Sequence, residues 1–213
     1  MKQLILIMAV ALLSACNMAE GEHTEEFLIE EQVSAVAAEY AYAYENASPL
    51  QLFFKEDQTK ATFHESNENG DSFTEETFWL SEDYVKTIVV KQGVATYSIY
   101  RITKDAIEIM YEGETDLKVT TADLQQMTVK RSFLTFPIEI GTSLEGWTVT
   151  NVNLQIETPF ETFHEVVELT QKIEGQIIRR YFASGFGLVK ETISTDTDQG
   201  AAETSFLLDA LEY

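Results

Sequence analysis

Val94-Ala95-Thr96-Tyr97-Ser98-Ile99-Tyr100-Arg101-Ile102, followed by Thr103-Lys104-Asp105 and then Ala106-Ile107-Glu108-Ile109-Met110-Tyr111, is the most informative stretch of the chain. Apolar and polar side chains alternate in both runs, and β-branched and aromatic residues dominate. A period of two places successive side chains on opposite faces of a strand, whereas a helix would repeat at three and four. Two such runs joined by three turn-forming residues predict an antiparallel hairpin.

The same grammar extends in both directions. Turn signals stand at Asn69-Gly70-Asp71, Gln92-Gly93, Glu112-Gly113, Glu174-Gly175, Ser184-Gly185 and Gln199-Gly200, with runs rich in Val, Ile, Thr, Tyr and Phe between them. Intervals of about 8–12 residues predict a mainly β domain over residues 49–213, an antiparallel meander forming a sandwich or an open barrel. Strand–helix–strand alternation is absent, which argues against parallel sheets with nucleotide sites at strand ends. Thr62-Phe63-His64-Glu65 recurs as Thr162-Phe163-His164-Glu165, but the flanking residues do not extend the match, so no internal repeat is inferred.

Upstream of Pro49 the pattern changes. Ile29, Val33, Val36, Ala37, Tyr40, Ala41 and Tyr44 recur at helical steps, predicting one N-terminal amphipathic helix over residues 27–48. Residues 16–26 are acidic, small and aperiodic, and are expected to form a tether. Residues 1–15 begin with Lys2 and continue with the apolar run Leu4 to Leu13, too short to span a bilayer and suited to a signal peptide. The run ends in Leu13-Ser14-Ala15-Cys16, which resembles the lipobox of bacterial lipoproteins. That resemblance implies cleavage before Cys16 and a diacylglyceryl group on its thiol. Two acyl chains, at about 0.8 kcal/mol per buried methylene, hold a protein stably to a bilayer.

Composition narrows the function classes. Among 213 residues, 36 are acidic and 14 basic, giving a net charge of −22, and 45% are apolar, enough for a sizeable core. Loss of Lys2 with the leader takes the charge from −22 to −23. Such a body repels phosphate backbones, and its basic pairs are confined to Lys130-Arg131 and Arg179-Arg180, so nucleic acid is not an expected partner. Anionic lipid headgroups repel it too, so it is expected to stand away from the membrane on its tether. Cys16 is the only cysteine, so the exported domain has no disulfide and relies on packing.

The second half carries a wider likeness. Pro137-Ile138-Glu139-Ile140-Gly141 leads to Trp147, then to Thr158-Pro159-Phe160-Glu161-Thr162-Phe163-His164-Glu165-Val166-Val167 and to Tyr181-Phe182-Ala183-Ser184-Gly185-Phe186-Gly187-Leu188-Val189-Lys190. This order of signals resembles an uncharacterised β-domain family of bacterial envelope lipoproteins, found alone or beside copper amine oxidase-like stalk domains in Gram-positive envelopes. Glu161 stands where that family has Gly, and Ser184 where it has Pro. The resemblance implies a membrane-tethered, extracytoplasmic β domain with no catalytic residues to carry over. Gly185 and Gly187 suit a tight turn, and Trp147 suits a plug at one end of a barrel-like core, so all three are expected to be structural.

Sites of chemistry are sparse. Glu65-x-Asn67-x-Asn69-Gly70-x₅-Glu76 parallels a calcium loop, with Glu65, Asn67, Asn69 and Glu76 as candidate ligands. Its strand-like flanks favour a polar hairpin tip instead. Asp196-x-Asp198-x-Gly200 is weaker still. His23, His64 and His164 lack zinc spacing, no Gly-x-Ser-x-Gly elbow occurs, and carboxylate pairs are too abundant to single out glycoside chemistry. No cofactor is expected. The expected function is a non-enzymatic binding or scaffolding lipoprotein of the cell membrane's outer face, its protein or small-molecule partner unidentified. A carrier of lipid or another apolar ligand, lined by some of the 13 Phe and 9 Tyr, is the first alternative. Calcium binding is the second.

Overall fold

The computed structural model describes residues 49–66, 70–197 and 200–213, which make up the β domain. The leader, Cys16, the acidic tether, the 27–48 helix and the candidate ligands Asn67 and Asn69 lie outside the described residues.

Among the described residues twelve strands form one antiparallel sheet: β1 (Lys60–Glu65), β2 (Ser72–Ser81), β3 (Tyr84–Lys91), β4 (Val94–Ile102), β5 (Ala106–Gly113), β6 (Arg131–Thr135), β7 (Ser143–Leu144), β8 (Trp147–Glu157), β9 (Thr162–Ile173), β10 (Gln176–Ala183), β11 (Gly187–Thr197) and β12 (Gly200–Glu212). The strand order is β6-β5-β4-β3-β2-β1-β12-β11-β10-β9-β8-β7. A single sheet replaces the sandwich alternative. Nearly every strand pairs with its chain neighbours, and β1 also pairs with β12, so the topology is that of an up-and-down barrel broken between β6 and β7. Curling brings the two halves together: Phe133 of β6 meets Phe182 of β10 edge-on, with ring centroids 5.7 Å apart.

The ladders on either side of the break extend beyond the strands themselves. Phe136 N–H donates to Asp105 C=O at 2.8 Å, and the chain then runs along β8, where Gly141 N–H donates to Val149 C=O and Val149 N–H to Thr142 C=O. Backbone groups that would otherwise face solvent at the sheet margin are thereby paired.

The decisive hairpin forms as its alternation predicts, with β4 bounded as expected, β5 starting at Ala106, and Val94 to Arg101 paired along β3. One detail departs. β5 continues through Gly113, and an extra residue opposite Ile99 and Tyr100 shifts its phase. Met110 and Tyr111 therefore join Ile99 in a small cluster separate from the main core. That cluster is covered, through Leu124, by a helix absent from the sequence-based expectations, α1 (Thr121–Gln126). α1 begins with a reciprocal cap: Asp123 N–H donates to Thr120 Oγ1, and Asp123 Oδ2 accepts from Thr120 N–H at 2.7 Å.

One end of the barrel is stopped by the segment that precedes β1. Leu50 is fully buried, and a short 3₁₀ turn, Gln51–Phe53, crosses the end where the β2–β3 and β10–β11 turns lie. Gly185 N–H donates to Leu52 C=O at 2.7 Å, and Gln51 Nε2 donates to Glu82 C=O at 2.9 Å. Gly187 has φ of 61°, and a Cβ there would sit 2.9 Å from the Phe53 carbonyl oxygen. The turn thus needs glycine both for its left-handed backbone and for the close approach of the stopper. Trp147 is buried in the main core at the start of β8, and the stopper at this end is Leu50 to Phe54.

Candidate functional site

Inside the barrel, above the stopper, is a chamber of about 380 Å³. Alternation on the strands selects its lining. Ile178 and Phe182 of β10 face inward, and Arg180, two residues from each, must share that face. Phe53, Phe54, Phe133, Phe182 and Leu188 supply an apolar wall. Thr87, Thr96, Ser98 and Tyr100, from β3 and β4, supply hydroxyls.

Charges complete the lining. Glu191 of β11 retains 9% of its side-chain exposure and lies between two cations: Lys91 Nζ at 3.1 Å from Oε1 and Arg180 Nε at 2.9 Å from Oε2. Burial by itself would raise the Glu191 carboxyl, but Arg180 and Lys91 outweigh it and hold the group below its ordinary value of 4.5. Lys91 is set further by aromatic faces, its Nζ 4.3 Å from the Phe206 ring centroid and 5.2 Å from that of Phe73. The guanidinium of Arg180 lies 5.0 Å from the Trp147 ring. That contact gives Trp147 a part in orienting the chamber's charge.

Two further carboxylates have their own partners. Glu75 accepts from Lys55 Nζ at 2.6 Å, and that nearly inaccessible ammonium also donates to Leu188 C=O at 3.1 Å. Glu112 pairs with Arg131 at 2.8 Å. Burial pushes the Tyr100 hydroxyl above its ordinary value of 10.0, with Ser98 and Arg180 partly offsetting the rise, so it stays a neutral donor at physiological pH. Lys91 and Arg180 keep 35% and 39% of their side-chain exposure, so the charged side of the chamber reaches solvent.

Of the calcium candidates, the two described carboxylates, Glu65 and Glu76, are not brought together. In the β1–β2 register Glu76 lies opposite Lys60, while Glu65 N–H donates to Asp71 C=O at the far end of the hairpin. At ~3.3 Å per residue, the five steps between Lys60 and Glu65 separate the carboxylates by roughly 17 Å, whereas calcium draws its oxygens to about 2.3–2.6 Å. Strand pairing, which needs both segments extended, defeats the loop spacing. Among the described residues no group of His, Cys, Asp and Glu is placed to hold a metal. His64 on β1 is exposed, 3.6 Å from Asp209, and His164 lies on β9, which does not neighbour β1. Among the described residues no helix is long and apolar enough to cross a membrane.

Gly185 and Gly187 occupy the positive-φ turn expected of them. Lys91, Arg180 and Glu191 do not stand out in the sequence, because a charged residue on a strand ordinarily faces water. The available signal is phase: Ile178-x-Arg180-x-Phe182 puts a guanidinium in step with two apolar residues.

No family model matches the chain, and no curated protein matches it. Among solved structures, the crystal structure of a "putative exported protein with YmcC-like fold" from Bacteroides fragilis aligns over 76% of this chain and 99% of that one, at 8% identity and a TM-score of 0.45.

Proposed function

We propose that this chain is a non-enzymatic, lipid-anchored binding module on the outer face of a bacterial cell membrane, and that its barrel takes up a small amphipathic molecule. The observation that carries the binding role is the chamber, a partly open space of about 380 Å³ lined by phenylalanines on one side and by an ordered ion cluster on the other. Its volume lies within the ~300–1,000 Å³ range of small-molecule sites, and a few placed polar groups among apolar walls are what such sites use for orientation. Support for the anchor comes from the leader, the lipobox at Leu13 to Cys16 and the acidic segment after it.

A carrier of purely apolar cargo is the weaker alternative. Filling the chamber with hydrocarbon would strip water from Lys91 and Arg180 without replacing its hydrogen bonds, at a cost of about 1–3 kcal/mol per unsatisfied group or more for charges. An amphipathic ligand avoids that penalty. Native mass spectrometry of the full chain, released from its own membranes, tests the proposal. The expected spectrum shows a mass increment of one small molecule that disappears in Thr96→Trp, where the indole fills the space. Protein that emerges without an increment, and takes none up from a membrane extract, would refute the binding role.

A further inference from the structure

The ion cluster inside the barrel does not balance. Glu75 is neutralised by Lys55 and Glu112 by Arg131, but the single carboxylate of Glu191 faces both Lys91 and Arg180. With Lys55 and Arg131 counted behind the lining, four cations meet three carboxylates, so the cluster carries one positive charge in excess in a chain whose net charge is −22. Acidic residues outnumber basic ones by more than two to one, so the convergence of Lys55, Lys91 and Arg180 on one interior is not what composition would scatter there.

Arg180 is also incompletely used. A guanidinium carries five N–H donors in a planar fork. Its Nε donates to Glu191, its face lies against Trp147, and its terminal amino groups make no hydrogen bond to the described residues. Two contacts thus fix the guanidinium, which lines the chamber and is partly open to solvent, and leave its terminal amino groups without a partner among the described residues. The edge of a guanidinium matches two oxygens of a carboxylate or phosphate, which it binds through paired, charge-assisted hydrogen bonds.

Building on the binding role above, we propose that the chamber selects an amphiphile with one anionic head, a carboxylate or a phosphate monoester, seated on Arg180, with its apolar tail against Phe133 and Phe182. The anion restores charge balance at the cluster, and the tail covers rings already packed against each other. Thr96 and Ser98 offer hydroxyls to whatever polar atoms adjoin the head.

Calorimetric titration of the full chain in detergent-free nanodiscs tests this with four probes of equal tail length: nonanoate, monooctyl phosphate, octanol and octyltrimethylammonium. At least one of the two anions binds about tenfold tighter than octanol or better, and the cation binds more weakly than octanol. The two anions, compared with each other, tell a carboxylate site from a phosphate site. Arg180→Gln removes the anion advantage while leaving octanol affinity in place, and Arg180→Lys recovers part of it. If Arg180→Gln lowers the melting temperature too far to titrate, the four probes on the unaltered chain still decide. Octanol or the cation binding as tightly as both anions overturns the anionic head while leaving the chamber a binding site. No binding by any of the four overturns the binding role itself.

Discussion

The guanidinium of Arg180 lies over the indole of Trp147, 5.0 Å from the ring, while its Nε reaches Glu191 on the neighbouring strand. A residue that begins β8 thus holds a charge displayed from β10. Trp147 is 6% exposed and belongs to the main core, so it links packing to the electrostatics of the chamber.

Replacing Trp147 by Leu is expected to destabilise the domain by about 2–4 kcal/mol, from lost core volume and from the cation–π contact. Trp147→Phe, which keeps an aromatic face, costs less. Urea denaturation of the two variants checks the order.

Glu191 predicts the acid limb of stability. Its folded pKa lies below the ordinary carboxyl value of 4.5, so the stabilisation it brings is complete above that value and is lost as pH falls through the folded pKa. Melting temperature measured from neutral pH downward should decline over that acidic window, and Glu191→Gln should show a shallower decline. An unchanged slope in the variant would show that the cluster contributes nothing to the acid limb.

Gly187 and Gly93 both have positive φ, 61° and 79°, but only Gly187 has backbone against it: Phe53 O would lie 2.9 Å from an added Cβ, and Gly93 has nothing within 4 Å. Alanine at Gly93 is expected to cost ~1 kcal/mol from the backbone conformation alone. At Gly187 the added methyl also pushes the stopper from the barrel end, so ~2–3 kcal/mol is expected. Chemical denaturation of Gly93→Ala and Gly187→Ala compares them directly.

Calcium is expected to leave the melting temperature unchanged through Glu65 and Glu76, which the hairpin register keeps apart. Glu76→Gln should therefore melt alike with and without the ion. A calcium-dependent rise that vanishes in Glu76→Gln would contradict the register.

Much of the β architecture is legible because it is local. Alternation in Val94 to Tyr111 and the glycine turns at Gly93, Gly175 and Gly185 depend on neighbouring residues only, and each stands where expected. Features that depend on distance along the chain are harder to read. Pairing of β1 with β12 joins segments at the two ends of the domain, and nothing in either strand names its partner. Glu112-Gly113 reads as a turn because of its glycine, yet β5 runs through it, after an extra residue that shifts the strand's inward and outward phase. α1 is only six residues long, and its cap signature, Thr120-x-x-Asp123, is easily lost in a β-rich chain. The chamber is the least legible feature. Lys91, Arg180 and Glu191 come from three strands, and only curling of the sheet turns three ordinary surface-type residues into one interior cluster.

A crystal structure of the full chain grown with nonanoate is the most direct measurement. One elongated molecule inside the barrel, its carboxylate within hydrogen-bond distance of Arg180 and its tail against Phe133 and Phe182, is the predicted result. A chamber holding only water, or one collapsed by inward rotation of those rings, would contradict it.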